Sequence, residues 1–133
     1  MFSQTTSDLS EYLRELAATP FEIGKMDCCL AIAIWLERYR GWDRMSEFHA
    51  AYQDGDGWEA YVERHGGLVA IIDRVAERVG RDRTPSPKPG DVGVIEISGK
   101  RVAALKTARG WALKVNNGLF VTRLCRPVAA WSV

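Results

Sequence analysis

The sequence predicts an α+β fold in which N-terminal helices, one of them a central helix bearing cysteine, pack on a C-terminal antiparallel sheet. Three observations predict it. Apolar residues recur at helical spacing from about residue 7 to residue 80. The most apolar stretch of the chain, Cys28 to Leu36, directly follows the capping residue Asp27. Residues 90–133 instead break into short β-prone runs separated by Gly and Asn turns. Helices followed by an antiparallel meander make an α+β domain, and 133 residues suffice for a single one, spanning 1–133, with its own core.

The elements follow in order. Leu9, Tyr12, Leu13, Leu16 and Ala17 share a helical stripe behind Ser7 or Asp8 as a cap, and Thr19-Pro20 ends the helix. Phe21 to Met26 reads as an extended connection. Asp27 caps a second helix that runs to about Arg40 and stops at Gly41. Its apolar surface is nearly continuous, so it is expected at the centre of the core, with the Cys28, Ile32, Trp35 and Tyr39 side against the sheet. A short helix is expected around Ser46 to Gln53. The turn Asp54-Gly55-Asp56-Gly57 leads to another helix containing Trp58, Tyr61 and Val62, broken by His65-Gly66-Gly67. Leu68, Ile71, Ile72, Val75 and Val79 form the last amphipathic helix, stopped at Gly80. Arg81 to Pro89, with Pro85, Pro87 and Pro89, is an exposed connection. Strands are expected at 92–97, 102–105 and 111–115. Asn116-Asn117-Gly118 is a hairpin turn, Leu119 to Leu124 returns from it, and Val128 to Val133 closes the sheet after Pro127.

Composition excludes several functions. Lys plus Arg number 18 and Asp plus Glu 17, a net charge of +1, which argues against nucleic acid and against an anionic membrane as partners. No apolar run approaches a membrane span, and Met1 to Thr6 lacks the pattern of a signal peptide, so the expected location at synthesis is the cytoplasm. The basic residues between Arg81 and Lys114 read as a solvated face. Three cysteines, two of them adjacent, make no disulfide framework. Cys28, Cys29, Cys125 and a histidine do not have zinc-site spacing, and Asp54-Gly55-Asp56-Gly57 lacks the downstream ligands of a calcium loop. No cofactor is expected.

A thiol on the first turn of a helix meets unpaired backbone N–H groups and the positive end of the helix dipole, both of which favour thiolate. Cys28 is therefore either a nucleophile or a small buried packing residue. Asp27 suffices as a cap, and its charge opposes thiolate formation. Cys29 points elsewhere on the helix and is expected in the core.

Phe21 to Gly41, with Asp27-Cys28 opening the helix, and Pro89-Gly90-Asp91-Val92 opening the first strand resemble the NlpC/P60-like branch of the papain-like cysteine peptidases. Gly24-Lys25-Met26-Asp27-Cys28-Cys29-Leu30, Gly41-Trp42-Asp43, Gly66-Gly67-Leu68 and Ala130-Trp131 are similar to a group of small proteins of phages and prophages. The resemblance implies an NlpC/P60-like, papain-like domain with Cys28 at the nucleophile position. It also implies a histidine base at the start of the second core strand and a polar residue on the next strand to orient it. Val102 occupies the expected base position, and Lys114 is the charged candidate near the orienting one. Nothing from Asp91 to Val133 is histidine, so His65 and His49 are the sequence's two candidate bases.

Two functions from different classes follow. One is a catalytically silent domain, a structural or interaction component of a phage or prophage particle, with the tail as one candidate location. Its partner would be another phage structural protein or a second copy of the chain. The other is a cysteine hydrolase of peptidoglycan peptide or amide bonds, with cell-wall peptide as substrate and an unusual base. The particle context, and with it virion association, comes from the resemblance alone.

Overall fold

The structure is a computed structural model that describes residues 4–22, 27–42, 57–123 and 125–133, without the side chains of residues 57 and 58. Among the described residues four helices precede five strands: α1 Gln4–Ala18, α2 Cys28–Arg40, α3 Gly57–Arg64, α4 Leu68–Arg78, β1 Val92–Ile97, β2 Lys100–Thr107, β3 Gly110–Val115, β4 Gly118–Thr122 and β5 Pro127–Trp131. The architecture is α+β, with one antiparallel sheet in the order β4-β3-β2-β1-β5. The connection expected at 23–26, the short helix at 46–53 and the turn at 54–56 lie outside the described residues, as does Leu124.

α1 starts earlier than its caps suggest. Ser7 and Asp8 lie inside the helix, and the Gln4 amide donates to Asp8 Oδ1 at 2.8 Å across one turn. α2 has the expected ends. Asp27 is extended and its carboxylate accepts from Leu30 N–H at 3.0 Å, while Gly41 takes the left-handed conformation, φ 70°, that closes the helix.

The face of α2 divides in a way the apolar run does not reveal. Trp35 and Tyr39 turn to α1, where Tyr12 lies 5.6 Å from the Trp35 ring and donates its hydroxyl to the Ala31 carbonyl. Trp35 Nε1–H donates to the Gly90 carbonyl at 2.9 Å. A side chain at Gly90 would strike Thr5, and its φ of 99° suits glycine. Cys29, Ile32, Ala33 and Leu36 instead meet Ala103 of β2 and Leu68, Ile72 and Val75 of α4 around a small apolar void of about 10 Å³. The stripe Cys28–Ile32–Trp35–Tyr39 therefore splits between α1 and the sheet, because residues all round α2 are buried.

Alternation along the strands gives the sheet two apolar faces. Val92, Val94, Ala103, Leu105, Ala129 and Trp131 join the helices in the main core. Ile95, Ala104, Trp111, Leu113 and Ala130 form a second cluster. The order of the strands requires the sheet to coil around this second face. β4 and β5 are opposite edges, yet only four residues, 123–126, join them. Five Cα steps reach at most ~18 Å, whereas four flat interstrand gaps already need ~19 Å. Trp111 is packed on this face, 3 % exposed, where its ring occupies the space that a Cβ on Gly93 would take. β2 is longer than its apolar run because pairing with β1 continues to Ile97↔Lys100 at the Ser98-Gly99 turn. Beyond β5, Val133 N–H donates to buried Asp91 at 3.2 Å, and Arg40 binds the Val133 carbonyl.

Candidate functional site

The candidate site is the start of α2. Asp27 holds two bonds there: its carboxylate takes Leu30 N–H, and its carbonyl takes Ala31 N–H at 2.8 Å. Such a cap contributes about 1 kcal/mol. The cap fixes the first turn, so Cys28 is half-buried at the helix end and Cys29 is turned inward, 8 % exposed.

The two thiols act on each other. Cys28 is held below the ordinary cysteine value, first by a hydrogen bond from the Cys29 side chain and then by backbone N–H groups of Cys29 and Cys28. Burial and the Asp27 carboxylate oppose this. Cys29 is pushed well up by the same bond to Cys28 and by burial, and it lies against the Ala103 backbone. Cys28, half-buried at the end of the helix, is thus the more thiolate-prone of the two.

Val102, expected at the base position, is not on the face of the sheet that meets α2. It lies on the second face beside Ile95 and Ala104. Ala103, the next residue, is on the helix-facing side of β2 and lines the void beside Cys29. A shift of one residue along a strand exchanges the faces, and the apolar segment Val102-Ala103-Ala104-Leu105 holds no polar residue to fix that register in the sequence.

Lys114 does face the helices, from β3. It is 2 % exposed, and its ammonium donates to the Leu16 carbonyl in the last turn of α1 at 2.6 Å. Burial holds it below the ordinary lysine value. This fastens the C-terminal end of α1 to the sheet, where a cation suits the helix dipole.

His65 lies just past α3 and is exposed. Its Nδ1 is 2.8 Å from the Tyr61 carbonyl, its ring stacks on Tyr61 at 4.1 Å, and its own carbonyl accepts from Arg74. Its polar contacts therefore belong to the α3–α4 corner. His49 lies outside the described residues. Cys125 is on the second face of the sheet, with its sulfur 3.7 Å from the Glu96 carbonyl, so the sheet separates it from the other two cysteines. Among the described residues no group of three His, Cys, Asp or Glu is placed to hold a metal ion, and no helix is long and apolar enough to cross a membrane.

Two features escaped the sequence. Asp91 is buried and accepts from Lys88 N–H at 2.8 Å as well as from Val133 N–H. The Pro89-Gly90-Asp91 turn was its visible sign. Asp73 gathers Arg83 and the Trp131 indole, each at 2.9 Å, which no local motif announces. Two open depressions of about 490 and 440 Å³ flank Arg83, and neither is lined by a thiol.

Chemically, the start of α2 offers a sulfur that ionises readily and backbone N–H groups that can receive an oxyanion. Among the described residues, the side chains acting on that sulfur are a second thiol and a carboxylate. The family described as a domain of unknown function, DUF6950, matches residues 2–133. No curated protein and no solved structure matches the chain.

Proposed function

The chain belongs to the DUF6950 family, and we propose that it is a catalytically silent NlpC/P60-like, papain-like domain that works by presenting a surface to another protein. The observation that carries this reading is Ala103. It is the β2 residue that lines the small void beside Cys29, and a methyl group neither accepts nor returns a proton. Acyl transfer by a thiol needs both: a base to complete ionisation and an acid for the leaving amine. Lys114, on the neighbouring strand and the same face, is committed to the Leu16 carbonyl. The proposed setting is a phage or prophage particle, with the tail as a specific candidate. That setting rests on the sequence resemblance, and a structural protein of the particle is the partner it implies.

A second reading is favoured by the position of Cys28, half-buried on the first turn of α2, where backbone N–H groups favour its thiolate. In it the chain is a cysteine hydrolase of peptidoglycan peptides whose base is His49 or His65. The hydrogen bond and stacking of His65 at Tyr61 weigh against that residue.

Muropeptide hydrolysis by the wild type and by Cys28→Ser, from neutral to alkaline pH, separates the two. A missing general acid–base removes about 10²–10⁴ in rate, so the silent domain gives no turnover that depends on Cys28. Turnover that vanishes in the serine variant would establish the hydrolase.

A further inference from the structure

The net charge of +1 averages over two unlike parts of the chain. All 17 Asp and Glu residues precede Ile97, whereas residues 97–133 hold seven Lys and Arg and no acidic side chain. One of the seven, Lys114, is buried against the Leu16 carbonyl. Five of the others lie on or beside the second face of the sheet, whose cluster holds no helical residue among the described ones. Lys106 is paired with Trp111, and its ammonium lies over that ring at 5.7 Å. Lys100 stands opposite Ile97 of the same face. Arg109 is in the β2–β3 turn, Arg123 Nε–H donates to its carbonyl at 3.0 Å, and Arg126 follows Cys125 of the second cluster. None of the five forms an ion pair with a described residue. The strands carry one carboxylate, Glu96, and it stands opposite the sixth cation, Arg101. Phe120 is paired with Leu113 and so shares the second face, where its ring is 47 % exposed.

We propose that this face binds single-stranded nucleic acid, with phosphates on Lys100, Lys106, Arg109, Arg123 and Arg126 and a base stacked on Phe120. Cations without carboxylate partners call for an anion. Lys100 and Lys106 are ~20 Å apart along β2, so one compact anion does not meet both, whereas a phosphate chain does. Acidic side chains would supply charge but no ring to stack. An exposed aromatic among cations is the combination that sequence-tolerant single-strand binding uses. The arginines add a planar fork that matches phosphate oxygens. A duplex keeps its bases stacked on each other and leaves the ring unused. The surface is on the side of the sheet away from α2. It therefore goes beyond the proposed function and stands whether or not Cys28 is reactive.

Fluorescence anisotropy of a labelled oligothymidylate of about 15 nucleotides, between about 20 and 200 mM salt, tests it. The logarithm of the affinity is expected to fall linearly with that of salt, by about 0.7 for each phosphate neutralised. Lys106→Gln and Arg109→Gln should each flatten that slope by about 0.7. Phe120→Ala should weaken binding about fivefold or more with the slope unchanged, and Phe120→Trp should retain it. Arg14→Gln, on the exposed side of α1, should change neither quantity. Circular dichroism melts verify the fold of each variant. An independent readout needs no variant: a strand carrying 5-bromouracil should cross-link on irradiation at Phe120 or its neighbours, as located by peptide mapping. Absence of binding at low salt, an unchanged affinity in folded Phe120→Ala, an equal loss in Arg14→Gln, or a cross-link on the helices would each overturn the proposal. Polyglutamate or phosphatidylserine vesicles that compete as well as the oligonucleotide, charge for charge, would also overturn it, in favour of an acidic protein or a membrane.

Discussion

Lys114 shows what a single buried residue costs and contributes. Its ammonium is taken from water and compensated by the Leu16 carbonyl, with burial lowering its pKa. The consequence for stability has a definite sign. In the window between the depressed folded value and the ordinary lysine value of about 10.4, the unfolded chain binds more protons than the folded one. Stability from this group is therefore full above that window and is lost as pH falls through the folded value. Lys114→Met keeps the stem and removes the charge, at the cost of a hydrogen bond worth about 1 kcal/mol. Thermal melts of both proteins across alkaline pH should show the wild type gaining on the variant as pH rises. Parallel curves would mean that Lys114 carries no such burden.

At the scale of elements, the contact between β1 and β3 leaves no room for a side chain. Trp111 lies across the second face onto Gly93, and a Cβ there would stand 2.6 Å from the indole. Gly93→Ala is expected to destabilise by about 1–3 kcal/mol through overpacking. In a Trp111→Leu background the same change should cost at least about 0.5 kcal/mol less, since the clash has gone. Urea unfolding of the four proteins checks this, and strictly additive costs would show that the indole is not the obstacle. This contact also marks where the sequence ceased to be legible. Asp27 and Gly41 bounded α2 because capping is local chemistry, and Asn116-Asn117-Gly118 marked a hairpin for the same reason. The face of Val102 was not legible, because four consecutive apolar residues are compatible with either register. The split of α2 between α1 and the sheet, and the Asp73–Arg83–Trp131 clamp, depend on residues tens of positions apart. No local pattern encodes them.

For the whole molecule, the α+β order of elements places two cysteines at a helix start, with Cys29 and Ala103 of β2 lining one small void. The Asp-Cys signature at α2 was readable from the sequence, and so was the lack of histidine after Asp91. The partnership of Cys28 with Cys29 was not, because neighbouring side chains on a helix ordinarily diverge. The account's central claim is that no imidazole acts on Cys28. Its most direct test is the pH profile of alkylation at each cysteine, followed by mass spectrometry of the folded protein. The predicted result is that Cys28 reacts faster than Cys29 and Cys125. Its rate should follow one ionisation, with a midpoint below the ordinary thiol value of about 8.5, unchanged in His49→Ala and His65→Ala. A second inflection in the histidine range that disappears in either histidine variant would contradict the claim. It would identify a thiolate–imidazolium pair in its place.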